Sequence, residues 1–198
     1  MGEAGVSIAG VWDFASQLTP MATGIVRFGN RLSGGLAQLR GLLGGGAQIR
    51  PGSCFGHPCA LPPGTDTVSI PNSIHDATWL MHTVVHELAH VIDWHSHIQT
   101  GFVYPYGYAV ATYGHFSSTW GEPPLTKYAA GIGAGFRAYP DSWDIWAEAV
   151  TVWVFGNVGA GGVFIPTYGA NDIKYLNIST SALNVQMGRI QALLEGWR

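Results

Sequence analysis

Residues 86–90 of this 198-residue chain read His-Glu-Leu-Ala-His, two imidazoles four positions apart with a carboxylate beside the first. On a helix such positions lie one above the other, so His86 and His90 can both reach one metal ion at about 2.0–2.1 Å. Glu87 then falls beside the open coordination position. There a carboxylate can take a proton from water activated by Zn²⁺ and pass it to a leaving amine. The bland alternative makes both histidines ordinary helix residues and Glu87 a solvated charge. The apolar character of the segment argues against it, because buried imidazoles and carboxylates need partners.

A hydrolytic zinc takes three protein ligands and keeps a fourth position open. Glu148 is the expected third ligand: of Glu3, Glu87, Glu122, Glu148 and Glu195, only Glu87 and Glu148 fall within apolar helical segments. An unpaired carboxylate there would be costly. Asp93 lies seven residues past His86, about 10 Å along a continuous helix, and is better placed to hydrogen-bond a ligand imidazole than to share the metal. His95 and His97 would serve only if the helix ended after Ile92, and His115 is the substitute for Glu148. His82, one turn before His86, reads as a packed or solvated neighbour. In SCFGHPC, a knuckle of Cys54, His57 and Cys59 would lack a fourth ligand at finger-like spacing. A local Cys54–Cys59 disulfide is preferred over that and over two free thiols.

The elements that must position these groups are legible in outline. From Ser73 to His97 there is no Gly or Pro, and Ser73 with Asp76 resembles a capping box, so a helix is expected there. Leu80, Val84, Leu88, Val91 and Ile92 form its apolar stripe, with His82, His86, His90 and Asp93 on another face. DSWDIWAEAVTVWVFG predicts a second helix, capped by Asp141 or Ser142 and stopped at Gly156. SGGLAQLRGLLGGG predicts a short helix ending at the glycine run, and SALNVQMGRIQALLEGW a terminal packing helix. AQIR and TDTVSIP alternate as strands, the second expected at a sheet edge where an extended peptide could pair. Residues 98–140 are rich in Gly, Tyr and Pro without a long periodic segment.

Charged residues make up only 11% of the chain against about 25% in an average globular protein, and lysine occurs only at 127 and 174. The net charge of -3, with no Lys/Arg run, excludes a nucleic-acid partner. The most apolar stretch, residues 145–165, is interrupted by Glu148, Asn157 and several glycines, so no membrane span is expected. The sparse charge suits a secreted protein, although MGEAGVSIAGVW has no secretory-leader pattern. Length favours one domain over residues 1–198. It comprises an N-terminal helical and loop segment (1–50), a core bearing the chemistry (66–156) and a C-terminal turn and helix (157–198).

The combination of HELAH with Asp93, then TKYAA from Thr126 and WDIWAEAV from Trp143, resembles the anthrax lethal factor-like metallopeptidase domains, a branch of the gluzincins, over residues 66–156. The resemblance implies that His86, His90 and Glu148 hold Zn²⁺, that Glu87 is the base, and that Tyr128 assists catalysis. A phenol in that place donates a hydrogen bond to the oxyanion forming at the scissile carbonyl. The intervening GIGAGFRAYP makes Tyr139 a competitor for that role. Asp144, in the acidic place before WAE, is expected to cap its helix or orient a ligand histidine. The expected fold is α+β: a zincin-like domain with a small mixed sheet packed on the active-site helix and a helical C-terminal part. The expected activity is that of a zinc-dependent endopeptidase acting on a peptide or protein substrate. The alternatives are a zinc-containing interaction or toxin-associated module with little proteolysis, and a non-peptide hydrolase or proenzyme in which residues 1–50 cover the cleft and Asp13 approaches the metal. No feature sets the oligomeric state.

Overall fold

A computed structural model describes residues 1–54, 58–60, 66–99, 125, 142–158, 164–165 and 180–196. In chain order these form β1 (Val6–Ile8), a π-helical turn (Phe14–Leu18), α1 (Thr19–Arg31), α2 (Gly35–Leu42), β2 (Ala47–Pro51), β3 (Cys59–Ala60) and β4 (Thr67–Ile70). Then follow α3 (Ala77–Gln99), α4 (Ser142–Phe155), β5 (Asn157–Val158), β6 (Phe164–Ile165) and α5 (Thr180–Gly196). The architecture is mixed α+β with a small mixed sheet, as expected.

The sheet has the order β1-β2-β4-β3. β1 runs parallel to β2, with Ile8 opposite Ile49, and β2 runs parallel to β4, with Ile49 opposite Val68. β3 alone is antiparallel, pairing Cys59 with Ser69 and Ala60 with Val68. This corrects the expectation for TDTVSIP: β4 is paired on both sides, and β3 takes the edge. Cys54 and Cys59 are joined in a disulfide, which ties the first residue of β3 to the chain just beyond β2.

α3 runs through the middle of the molecule, against α1, α4, β3 and β4. Its N-cap is Asp76 rather than Ser73: Asp76 Oδ1 accepts from the Trp79 N–H at 2.7 Å, so the helix opens three residues later than the sequence pattern suggested. Leu80, Val84, Leu88, Val91 and Ile92 are all buried, as their spacing predicts. α2 ends where the glycines begin, and Gly44 adopts φ +65°, a left-handed conformation that favours glycine. α5 buries Leu183, Met187, Ile190 and Leu194 along one face. Its Glu195 accepts from the backbone and hydroxyl of Ser33, tying this helix to the α1–α2 connection.

The sequence reading did not anticipate β1 or α1. α1 packs Met21, Ile25 and Phe28 into the core and passes close to α3 at Gly24, where an added Cβ would lie 2.5 Å from the Met81 carbonyl oxygen. From the same helix Arg27 and Arg31 stack over Phe155 and Trp153 of α4, at 5.5 and 5.2 Å from the ring centroids. Among the described residues, no helix is long and apolar enough to cross a membrane.

Candidate metal centre

α3 and α4 together carry the polar groups buried at the centre of the molecule. The indole Nε1 of Trp146 donates to the carbonyl of Ala89 at 2.9 Å, fixing the offset between the helices. With that offset, the first turn of α4 lies over the His86–His90 face. Nε2 of His86 and Nε2 of His90 are 3.2 Å apart, and Asp144 Oδ1 lies 3.7 Å from the first and 3.4 Å from the second. His86, His90 and Asp144 form a buried cluster that could hold a metal ion. Tetrahedral bonds of about 2.0–2.1 Å place ligand atoms about 3.3–3.4 Å apart, so the three separations suit an ion of that size without rearrangement.

Glu148, expected as the third ligand, stands one turn further along α4. Its Oε1 lies 2.8 Å from Nδ1 of His86, across the ring from the nitrogen that faces the cluster. The structure thus exchanges the two acidic residues relative to the sequence reading: Asp144 joins the histidines, and Glu148 sits behind one of them. A carboxylate in that position holds a ligand imidazole in one tautomer and orientation. Glu148 is 2% exposed, so its charge needs this partner. Trp143, at the start of α4, meets the His90 ring edge-on with centroids 4.8 Å apart.

Burial opposes an imidazolium at His86, yet the hydrogen bonds it donates to Asp144 and Glu148, with the nearby charges of Glu148 and Glu87, raise its pKa well above the ordinary value. Burial likewise opposes the Asp144 carboxylate, but hydrogen bonds to His86 and His90 hold its pKa far below the usual carboxylate range.

Glu87 is 6% exposed, and its Oε2 accepts from the backbone N–H of Ala60 on β3 at 2.6 Å. Sequence reasoning missed this contact, because Ala60 carries no side chain that would mark it. His82 is buried edge-on against Phe155, with ring centroids 4.3 Å apart, and is not part of the cluster. Burial first, and then the charge of Arg27, push its pKa down to about 4, with Asp76 opposing. His95 is bonded to Asp66 at 2.6 Å and lies against Gly44, away from the cluster. Asp93 is fully buried on α3 and also lies outside the trio. Asp13 caps the π-helical turn, accepting from the Ser16 N–H at 2.6 Å. Tyr128, Tyr139 and His115 lie outside the described residues.

No known protein family, curated protein or solved structure matches this chain.

Proposed function

We propose that the chain is a zinc-dependent endopeptidase, with the ion held by His86, His90 and Asp144 and with Glu87 as the general base. The observation that carries the reading is the meeting of three buried ligand atoms, 3.2–3.7 Å apart, one residue from a buried carboxylate on the same turn of α3. Two imidazoles and one carboxylate, with room for a fourth ligand, are the donor set of hydrolytic zinc. Bound there, the ion would polarise a peptide carbonyl and acidify water.

The residues of the chain do the rest. Glu148 holds His86 by its Nδ1, so that Nε2 is directed at the ion. Glu87 removes a proton as water oxygen bonds to the scissile carbonyl carbon, then gives it to the amine as the C–N bond breaks. Ala60 N–H holds Glu87 Oε2 and leaves Oε1 for this transfer. The β3 edge lies beside Glu87 and gives an extended peptide a strand to follow. The Cys54–Cys59 bridge supports placement in an oxidising, extracellular compartment.

The test is digestion of a peptide library by the parent and Glu87→Gln, with the metal content of both measured. Cleavage that vanishes with chelator, returns with zinc and falls by about a thousandfold or more in Glu87→Gln is expected. Full cleavage by a folded, zinc-loaded Glu87→Gln would remove the base assignment. A zinc-loaded parent that cleaves nothing would favour a metal-containing interaction module.

A further inference from the structure

β3 is two residues long and, among the described residues, pairs on one side only, with β4, at the edge of the sheet. Two residues of ladder do little to fix a strand in place. What fixes this one is covalent: Cys59, its first residue, is bonded to Cys54, five positions earlier, just beyond the end of β2. The next residue, Ala60, turns its N–H away from β4 to the carboxylate of Glu87 at 2.6 Å. Glu87 is buried, so this charge-assisted bond has no bulk water to replace it. The chain of contacts runs from β2 through the disulfide to β3, and from the β3 backbone to the carboxylate next to His86.

We infer that the Cys54–Cys59 disulfide positions Glu87 by holding the Ala60 N–H against it, so that reducing the bridge loosens the carboxylate without dismantling the metal cluster. The contact stands on geometry alone; its consequence for catalysis rests on the peptidase reading. In the reduction, a dithiol gives two electrons and two protons to the bridge, becoming a disulfide while Cys54 and Cys59 become thiols. His86, His90 and Asp144 all lie on α3 and α4, and among the described residues the hydrogen bond that links these helices to β3 comes from Glu87, not from one of the three. Metal retention and base positioning are therefore separable. Cys54, Cys59 and Ala60 are positioning residues in this scheme, since none of them meets the reacting atoms.

The experiment uses the full zinc-loaded chain and the double variant Cys54→Ser with Cys59→Ser, which avoids thiol reagents that compete for zinc. Amide hydrogen exchange at Ala60 is followed by NMR, with Ile49 on β2 as the internal reference for folding. Exchange at Ala60 is expected to quicken about tenfold or more in the double variant and also in Glu87→Ala, with Ile49 and zinc content unchanged. Peptide cleavage by the double variant is expected to show a kcat lowered about tenfold or more and an unchanged KM. Should the double variant fail to fold, Ala60→Pro deletes the same N–H at an edge position that tolerates proline and keeps the bridge; the same fall in kcat is expected. Parent-like exchange at Ala60 in the folded double variant or in Glu87→Ala, or parent-like kcat in Ala60→Pro, overturns the inference. A parent that cleaves no peptide while Ala60 exchange responds as stated overturns the peptidase reading and leaves the positioning role standing.

Discussion

The two helices packed on α3 meet it through opposite chemistry. Towards α1 the contact is close and apolar: Gly24 lies against the Met81 carbonyl and Val84, and Met21, Ile25 and Phe28 fill the space around it. Towards α4 the contact buries His86, His90, Asp144 and Glu148 alongside the large Trp146. The apolar side is satisfied by shape and would be lost by adding volume. The polar side sets two carboxylates against two imidazoles, and would be lost by removing charge. α3 thus anchors with one face and leaves the other for chemistry.

The sharpest way to break this comparison is to delete each carboxylate of α4 in turn. Asp144→Ala removes one of the three clustered ligand atoms, and zinc affinity is expected to fall by about a thousandfold or more. Glu148→Ala removes the partner of His86 Nδ1 and is expected to cost about 10–100-fold, with the metal still binding. Competition titration against a chromogenic chelator reads both. A larger loss in Glu148→Ala than in Asp144→Ala would return Glu148 to the ligand set and place Asp144 behind it.

That Asp144, and not Glu148, stands beside the Nε2 atoms of both histidines has a physical reason. Asp144 and Glu148 are four apart, so they share one face of α4 a single turn apart. Which of them reaches the far nitrogen of His86 depends on the sliding offset of α4 along α3, and the Trp146–Ala89 hydrogen bond sets that offset. No local pattern encodes it. The spacing within HELAH, by contrast, is local and was fully legible, as were α4, α5 and most of α3. α1 escaped because Pro20 and Gly24 count as helix breakers in isolation. In place, Pro20 occupies the first turn, where its missing N–H costs nothing, and Gly24 is the point of closest approach to α3. β3 escaped because a strand of two residues carries no periodicity.

On the apolar side, Gly24→Val sharpens the contrast from the other direction. Its Cβ would stand 2.5 Å from the Met81 carbonyl oxygen, a backbone atom that can move only with the helix. A loss of about 2–3 kcal/mol in urea unfolding is expected, with one zinc per folded chain retained. Unchanged stability would show that α1 and α3 are further apart than the glycine implies. Loss of zinc from the folded variant would show that the two faces of α3 are coupled.

The smallest expected effect comes from His82, which lies on α3 between the two regimes, packed edge-on against Phe155 of α4 and within the field of Arg27 from α1. Its pKa is lowered from 6.5 to about 4 on folding, so between those values the unfolded chain binds a proton that the native one refuses. Stability is then full above pH 6.5, declines as the pH falls towards 4, and falls no further from this group below that. The depressed carboxylates do not contribute in the upper part of this window, since Asp13, Asp144 and Glu195 have unfolded values of 3.8, 3.8 and 4.5. Nor does His86, whose pKa is raised: its stabilisation is complete below 6.5 and declines as the pH rises from there to its folded value. For metal-free protein, urea unfolding at pH 6.3 and pH 4.7 is expected to differ by about 1–2 kcal/mol, and His82→Phe is expected to flatten that difference. An undiminished slope in His82→Phe would remove His82 as the source of the acid sensitivity and place it in the other ionisable groups of the chain.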